Sequence, residues 1–176
     1  MEVFSARLKW LRESKGFSQQ EMADKLGLSQ SYYGRFERDK GEPNLETLAK
    51  IPAILEQSID FLLGITDFTY NATIIRDKFD RASSSLFFLR QDLQFLQFDP
   101  HSGLITSKDF DPNNPESVKL KIDSLRQAIP LWEKQQESAR KTLLGILNEI
   151  PLVKESTISE IKENDPYGFL LADDLE

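Results

Sequence analysis

The stretch Phe17-Ser-Gln-Gln-Glu-Met-Ala-Asp-Lys-Leu-Gly-Leu-Ser-Gln-Ser-Tyr-Tyr-Gly-Arg-Phe-Glu37 reads as two short helices joined by a tight glycine turn. Ser18 is placed to N-cap the first helix, and Glu21, three residues on, is placed to return the bond in a capping box. Met22, Ala23 and Leu26 give that helix an apolar face, and Gly27 ends it, because glycine enters the left-handed region without a Cβ penalty. Leu28 seals the corner, Ser29 is a second N-cap, and Tyr33 and Phe36 supply the inner face of the next helix. Gln30, Ser31, Tyr32 and Arg35 are left facing outward. Amides, hydroxyls and a guanidinium near the start of an exposed helix are groups that bond base edges in a major groove.

Outside this stretch the helical pattern continues. Phe4, Leu8 and Leu11 stripe a preceding helix; Asn44 caps a fourth from Leu45, and Ser58 caps a fifth through Ile59, Phe61 and Leu62 that stops near Gly64. With Gln19, Ala23, Gly27 and Phe36 in place together, residues 4–67 resemble the helix-turn-helix domain of the phage repressor and Cro family, of the xenobiotic-response-element type. The resemblance implies a five-helix DNA-binding domain. It matches Gln30, Ser31, Tyr32 and Arg35 to base-reading positions, and Gln19, Ser29, Arg38 and Lys40 to backbone contacts, with Gln19 also bracing the recognition helix. Arg12 and Glu37 match a partly buried structural ion pair.

Three features depart from that pattern. Pro52 falls inside the fourth helix, where it removes a hydrogen bond and is expected to kink the helix or end it early. Glu56-Gln57 replaces the glycine turn before the fifth helix. Gly34 gives up about 1 kcal/mol of helix propensity against alanine inside the recognition helix. It serves either a close approach of backbone to DNA or nothing beyond tolerance.

Composition bounds the rest. A chain of 176 residues has room for a second unit, so the expected division is 1–67 for DNA binding and 68–176 for a helical oligomerisation or regulatory domain. There is no cysteine, and His101 is the only histidine, so no disulfide, cofactor or zinc site is expected. Neither a signal peptide nor a long apolar run is visible, and the expected location is the bacterial cytoplasm, away from membranes. The net charge of −7 is unusual for a DNA binder, but it is unevenly spread. Residues 5–40 hold eight Lys or Arg against five acids, whereas residues 68–176 hold 13 against 18. A modestly cationic head on an acidic body calls for two heads per complex to bind DNA tightly.

The second half repeats at helical period. Ala72, Ile75, Phe79, Ala82, Leu86, Leu89, Leu93 and Leu96 alternate steps of three and four, which is a heptad seam. Phe87, Phe88, Phe95 and Phe98 widen it. The helix is expected to end near Asp99-Pro100, with a loop from His101 to Pro115. Val118, Ile122, Leu125, Ile129, Trp132, Ala139, Leu143, Ile146 and Ile150 form a matching seam interrupted by Gln136, with a kink expected at Pro130 and an end at Pro151. A short helix over Thr157–Lys162 follows, and then the tail Tyr167-Gly-Phe-Leu-Leu-Ala-Asp-Asp-Leu-Glu176, apolar and then acidic, suited to docking.

The fold class is therefore all-α: a five-helix repressor-like domain followed by a long antiparallel helix hairpin. A two-helix hairpin has a thin core, so homodimerisation is expected through Phe79, Leu86, Leu89, Leu93, Leu96, Leu125, Ile129, Trp132, Leu143 and Ile146. The alternative is a monomer whose phenylalanines fold onto its own third helix and tail.

The function read from these features is a sequence-specific, dimeric transcriptional repressor of a phage or mobile element, binding double-stranded DNA at an inverted repeat. The competing reading is an antitoxin-like or sensory protein whose C-terminal half binds an anti-repressor, toxin or peptide. An enzyme is not expected. Ser107 and Lys108 form no interpretable serine–lysine dyad on a helical scaffold, and Asp109 with Asp111, or Asp173 with Asp174, suit caps and turns.

Overall fold

The computed structural model describes residues 1–101, 105 and 110–163. Ser107, Lys108, Asp109, Asp173, Asp174 and the apolar tail lie outside the described residues. Every regular element among those described is helical. The order is α1 (Glu2–Ser14), α2 (Gln19–Leu26), α3 (Gln30–Glu37), α4 (Leu45–Leu55), α5 (Ile59–Leu62), α6 (Tyr70–Phe98), α7 (Pro115–Glu149) and α8 (Glu155–Glu163).

The caps follow the sequence. Ser18 accepts from the Glu21 amide at 3.1 Å while its own amide donates to Glu21 Oε2 at 2.7 Å, closing a capping box. Gly27 takes φ 71°, and Ser29, Asn44 and Ser58 each accept from an amide three residues on. Thr69 caps α6, its Oγ1 accepting from the Ala72 amide at 3.2 Å. Asn114 accepts from the Glu116 amide at 3.0 Å, ahead of a helix that opens on Pro115, a position where proline's missing N–H costs nothing.

Neither Pro52 nor Pro130 ends its helix. α4 runs three residues past Pro52 to Leu55, and α7 contains Pro130 without ending. α4 is closed instead by Glu56 at φ 54°, a left-handed conformation that a non-glycine residue adopts at a cost. The Glu56 carboxylate meets Lys15 at 2.5 Å. α8 starts at Glu155, ahead of the expected Thr157.

The chain divides into two compact units, and the division does not follow one cut in the sequence. The first contains Met1–Ile74 together with Leu143–Ile161. Its buried apolar side chains come from α1 to α5 (Phe4, Leu8, Leu11, Met22, Ala23, Leu26, Tyr33, Phe36, Ile51, Leu55, Phe61, Leu62), from the start of α6 (Ala72) and from the returning segment (Leu143, Leu147, Ile150, Ile161). Full burial of a leucine or isoleucine side chain is worth about 1.5–3 kcal/mol, so the return adds substantially to this core.

The second unit contains Ile75–Thr142, an antiparallel pairing of α6 and α7. Phe79, Ala82, Leu86, Leu93 and Leu96 of the first seam are buried, with Leu89 half-buried. Leu93, Leu96 and Leu125 form one cluster, flanked by Leu89, Val118, Ile122 and Ile129. Gln136, the polar interruption of the second seam, donates to Ser83 Oγ at 2.8 Å, and Ser83 is buried. A satisfied polar pair in an apolar seam fixes which residues face each other. Arg90 and Glu133 pair at 2.9 Å in the same antiparallel register.

Of the ten residues expected at a dimer surface, Phe79, Leu86, Leu93, Leu96, Leu125 and Leu143 are buried within one chain; Leu89, Ile129, Trp132 and Ile146 are half-buried. The side chains left outside the second unit are instead Phe88, Phe98, Leu120 and Leu131.

Candidate nucleic-acid interface

α2 and α3 form an angle braced by polar side chains as well as by the apolar face of Met22, Ala23, Leu26, Tyr33 and Phe36. At its centre is Glu37. One carboxylate oxygen accepts from Arg12 Nε at 2.6 Å and from the Tyr33 hydroxyl at 2.7 Å; the other accepts from Arg12 Nη2 at 3.1 Å and Gln19 Nε2 at 2.8 Å. Arg12 also donates to the Phe17 carbonyl at 2.6 Å. Burial by itself would raise the Glu37 pKa, but the hydrogen bonds from Arg12, Tyr33 and Gln19 outweigh it and hold the carboxyl below its ordinary range. Burial and the Glu37 carboxylate together push the Tyr33 phenol strongly upward.

This network carries outward. Gln19, whose amide nitrogen is held by Glu37, offers its oxygen to Gln30 Nε2 at 3.2 Å. Arg12 thus positions Glu37, Glu37 positions Gln19, and Gln19 orients the first residue of α3. Gln30, Ser31, Tyr32 and Arg35 are all exposed on that helix. Tyr32 stacks edge-on against Phe36 at 5.1 Å between ring centroids, which limits its swing. Arg35 folds back, its guanidinium donating to the Lys40 carbonyl at 3.1 and 3.3 Å. That bond is exposed, so exchanging it for a DNA acceptor costs little.

Ser29 is engaged as the α3 cap, accepting from the Tyr32 amide at 3.3 Å. Arg38 and Lys40 are exposed in the segment after α3. Gly34 is buried, and a Cβ built on it would lie 2.9 Å from Arg38 Nη1 and 3.4 Å from Gln19 Oε1. The glycine makes room for those two polar side chains to lie over the helix.

The electrostatic picture differs from a count of charges along the sequence. Arg7 and Arg12 belong to the eight basic residues of 5–40, yet both are buried. Arg7 donates to the carbonyls of Phe61 and Thr66, each at 2.7 Å, pairs with Asp67, and lies 4.6 Å from the Phe61 ring centroid. With Glu37 also internal, Lys9, Lys15, Lys25, Arg35, Arg38 and Lys40 remain outside against Glu13, Glu21, Asp24 and Asp39. The surface is therefore less cationic than the sequence implied, because two guanidinium groups serve the interior.

Sequence reasoning missed Asp67. It accepts from Arg7, from the Thr157 hydroxyl at 2.7 Å and from the Lys154 amide at 3.1 Å. No local signal marks it, since two of its partners stand 87 and 90 residues away.

A family model for the helix-turn-helix matches residues 8–62. Residues 8–62 are a helix-turn-helix domain. Its span covers the braced α2–α3 angle and most of the helices around it. The SPbeta prophage-derived uncharacterized HTH-type transcriptional regulator YonR of Bacillus subtilis is 54% identical over 61 residues, which is 35% of this chain and 56% of that protein. The uncharacterized HTH-type transcriptional regulator YqaE of the same species is 44% identical over 61 residues, 35% of this chain and 53% of that protein. The cryptic phage CTXphi transcriptional repressor RstR of Vibrio cholerae is 41% identical over 58 residues, 33% of this chain and 52% of that protein. The chain spans about half the length of these curated relatives. No solved structure matches it. Among the described residues, no group of His, Cys, Asp or Glu is arranged to hold a metal ion, and no helix is long and apolar enough to cross a membrane.

Proposed function

We propose that this protein is a sequence-specific DNA-binding transcriptional regulator acting as a homodimeric repressor, with α3 of its helix-turn-helix domain as the recognition helix. The observation that carries this reading is the outward polar edge of α3, Gln30, Ser31, Tyr32 and Arg35, held on a helix whose inner face and Glu37 network fix its orientation. Gln30 and Arg35 supply the amide and guanidinium that make paired hydrogen bonds to adenine and guanine edges. Gln19, Ser29, Arg38 and Lys40 flank them and suit phosphates. Relatives of the domain named as transcriptional regulators and a phage repressor support the same reading.

The dimer rests on the thin core of the α6–α7 pair. Phe88, Phe98, Leu120 and Leu131 are each at least 60% exposed, and a second copy would cover them. A two-fold pair of heads sets recognition helices about 34 Å apart, matching an inverted repeat with half-sites one helical turn apart. Light scattering at low micromolar concentration tests this part: a dimeric mass that falls on Phe88→Glu supports it, and a monomer at all concentrations contradicts it.

A further inference from the structure

We propose that the C-terminal segment of this chain, residues 164–176, docks in a groove of its own α6–α7 pair lined by Ile75, Lys78, Arg81, Trp132, Lys134 and Ala139. The groove has a volume of about 630 Å³. Ile75, Trp132 and Ala139 give it an apolar floor, and Lys78, Arg81 and Lys134 stand on it as cations. No carboxylate among the described residues pairs with any of those three; Arg81 makes one bond, Nε to the Asp77 carbonyl at 3.1 Å. Several other cations of the same helices are matched: Arg76 with Asp80, Arg90 with Glu133 and Lys141 with Glu137. Three unmatched cations around a tryptophan, in a half of the chain that is acidic overall, mark a seat for an acidic apolar segment.

Residues 164–176 have that composition. Tyr167, Phe169, Leu170, Leu171 and Leu175 are apolar, Asp165, Asp173, Asp174 and Glu176 are acidic, and the segment contains no Lys or Arg. Reach is sufficient. Thr157 is bonded to Asp67 at 2.7 Å, α8 ends at Glu163, and Ile75 follows Asp67 mostly along helix. Summed along the chain, the interval from Glu163 to Ile75 is about 36 Å at most, and thirteen extended residues span about 45 Å. A second copy seated face to face fits less well, because two-fold symmetry would set Lys78, Arg81 and Lys134 against their own equivalents.

The absence of cysteine makes a direct test simple. In the full-length double variant Ser138→Cys with Ala172→Cys, one thiol lies on the groove lining and the other in the segment. Mild oxidation should close a disulfide within one chain, on the order of tenfold faster than in Lys119→Cys with Ala172→Cys, where the first thiol sits elsewhere on α7. Adding Lys78→Glu and Lys134→Glu should slow closure by on the order of tenfold, and Asp173→Lys with Asp174→Lys in that background should restore it. Closure no faster than in the Lys119→Cys pair, indifference to the charge reversals, or a disulfide formed only between two chains would each overturn the proposal.

Discussion

The Thr157 hydroxyl donates to Asp67 Oδ2 at 2.7 Å, joining residues 90 positions apart in the sequence. The same carboxylate receives the Lys154 amide and the guanidinium of Arg7, whose side chain is fully buried. Arg7 reaches further, to the carbonyls of Phe61 and Thr66 and, at 3.4 Å each, of Pro151 and Leu152. One buried ion pair therefore ties α1, the end of α5 and the α7–α8 turn into one unit, with every polar group around it satisfied by a named partner. Asp67→Asn keeps the shape but leaves Arg7 without its counter-charge, which should cost about 3–5 kcal/mol of unfolding free energy. Thr157→Val removes one bond and should cost about 1 kcal/mol. Urea unfolding of the full chain checks both, and equal small losses would show that the node is not buried in solution.

Acid should loosen this unit. Burial opposes ionisation of Asp67, but the bonds from Thr157, Arg7 and the Lys154 amide outweigh it, so its folded pKa lies below the ordinary 3.8. Glu37 is likewise held below the ordinary 4.5. A carboxyl whose pKa is depressed on folding contributes stability that is fully present above its unfolded pKa and is lost as pH falls through the folded one. Thermal unfolding should therefore be flat with respect to these two groups above about pH 5 and decline below their unfolded values. Glu37→Gln should lower the neutral-pH stability and flatten that acid decline; an unchanged acid profile would show that Glu37 titrates normally.

Gly34→Ala sets helix propensity against space. Alanine regains up to about 1 kcal/mol in an exposed helix. Its Cβ would meet Arg38 Nη1 at 2.9 Å, the far end of a flexible side chain that can move aside. The expected result is unchanged or slightly raised stability with weaker DNA binding, as Arg38 and Gln19 are displaced from the helix face. Stability and DNA affinity falling together would mean that Arg38 cannot move.

Much of the head was legible because its signals are local. Ser18, Glu21, Gly27, Ser29, Asn44 and Ser58 act over three or four residues, and each stands where its chemistry put it. The two seams of the hairpin were legible for the same reason, their period being a property of neighbouring residues. What escaped was long-range. The period that marks Leu143 and Ile150 as apolar-face residues does not say that Leu143–Ile161 packs into the first unit, and the meeting of Arg7, Asp67 and Thr157 leaves no periodic trace at all. Charge along the sequence misled in one respect, since Arg7 looks like a surface cation until its partner Asp67 is seen. Pro52, expected to kink its helix or end it early, does not end it, because a missing hydrogen bond in a helix held on other faces by packing need not stop the helix.

The most direct test of the account is a fluorescence-anisotropy titration of the full chain against DNA from upstream of its own gene and against random DNA of equal length, at two salt concentrations. Arg35→Ala should lose about 1–3 kcal/mol on the specific DNA and little on the random DNA, whereas Arg38→Ala should weaken both alike and reduce the salt dependence. Equal losses on both DNAs for both variants, or no preference for either DNA by the unaltered protein, would contradict α3 as a reader of sequence.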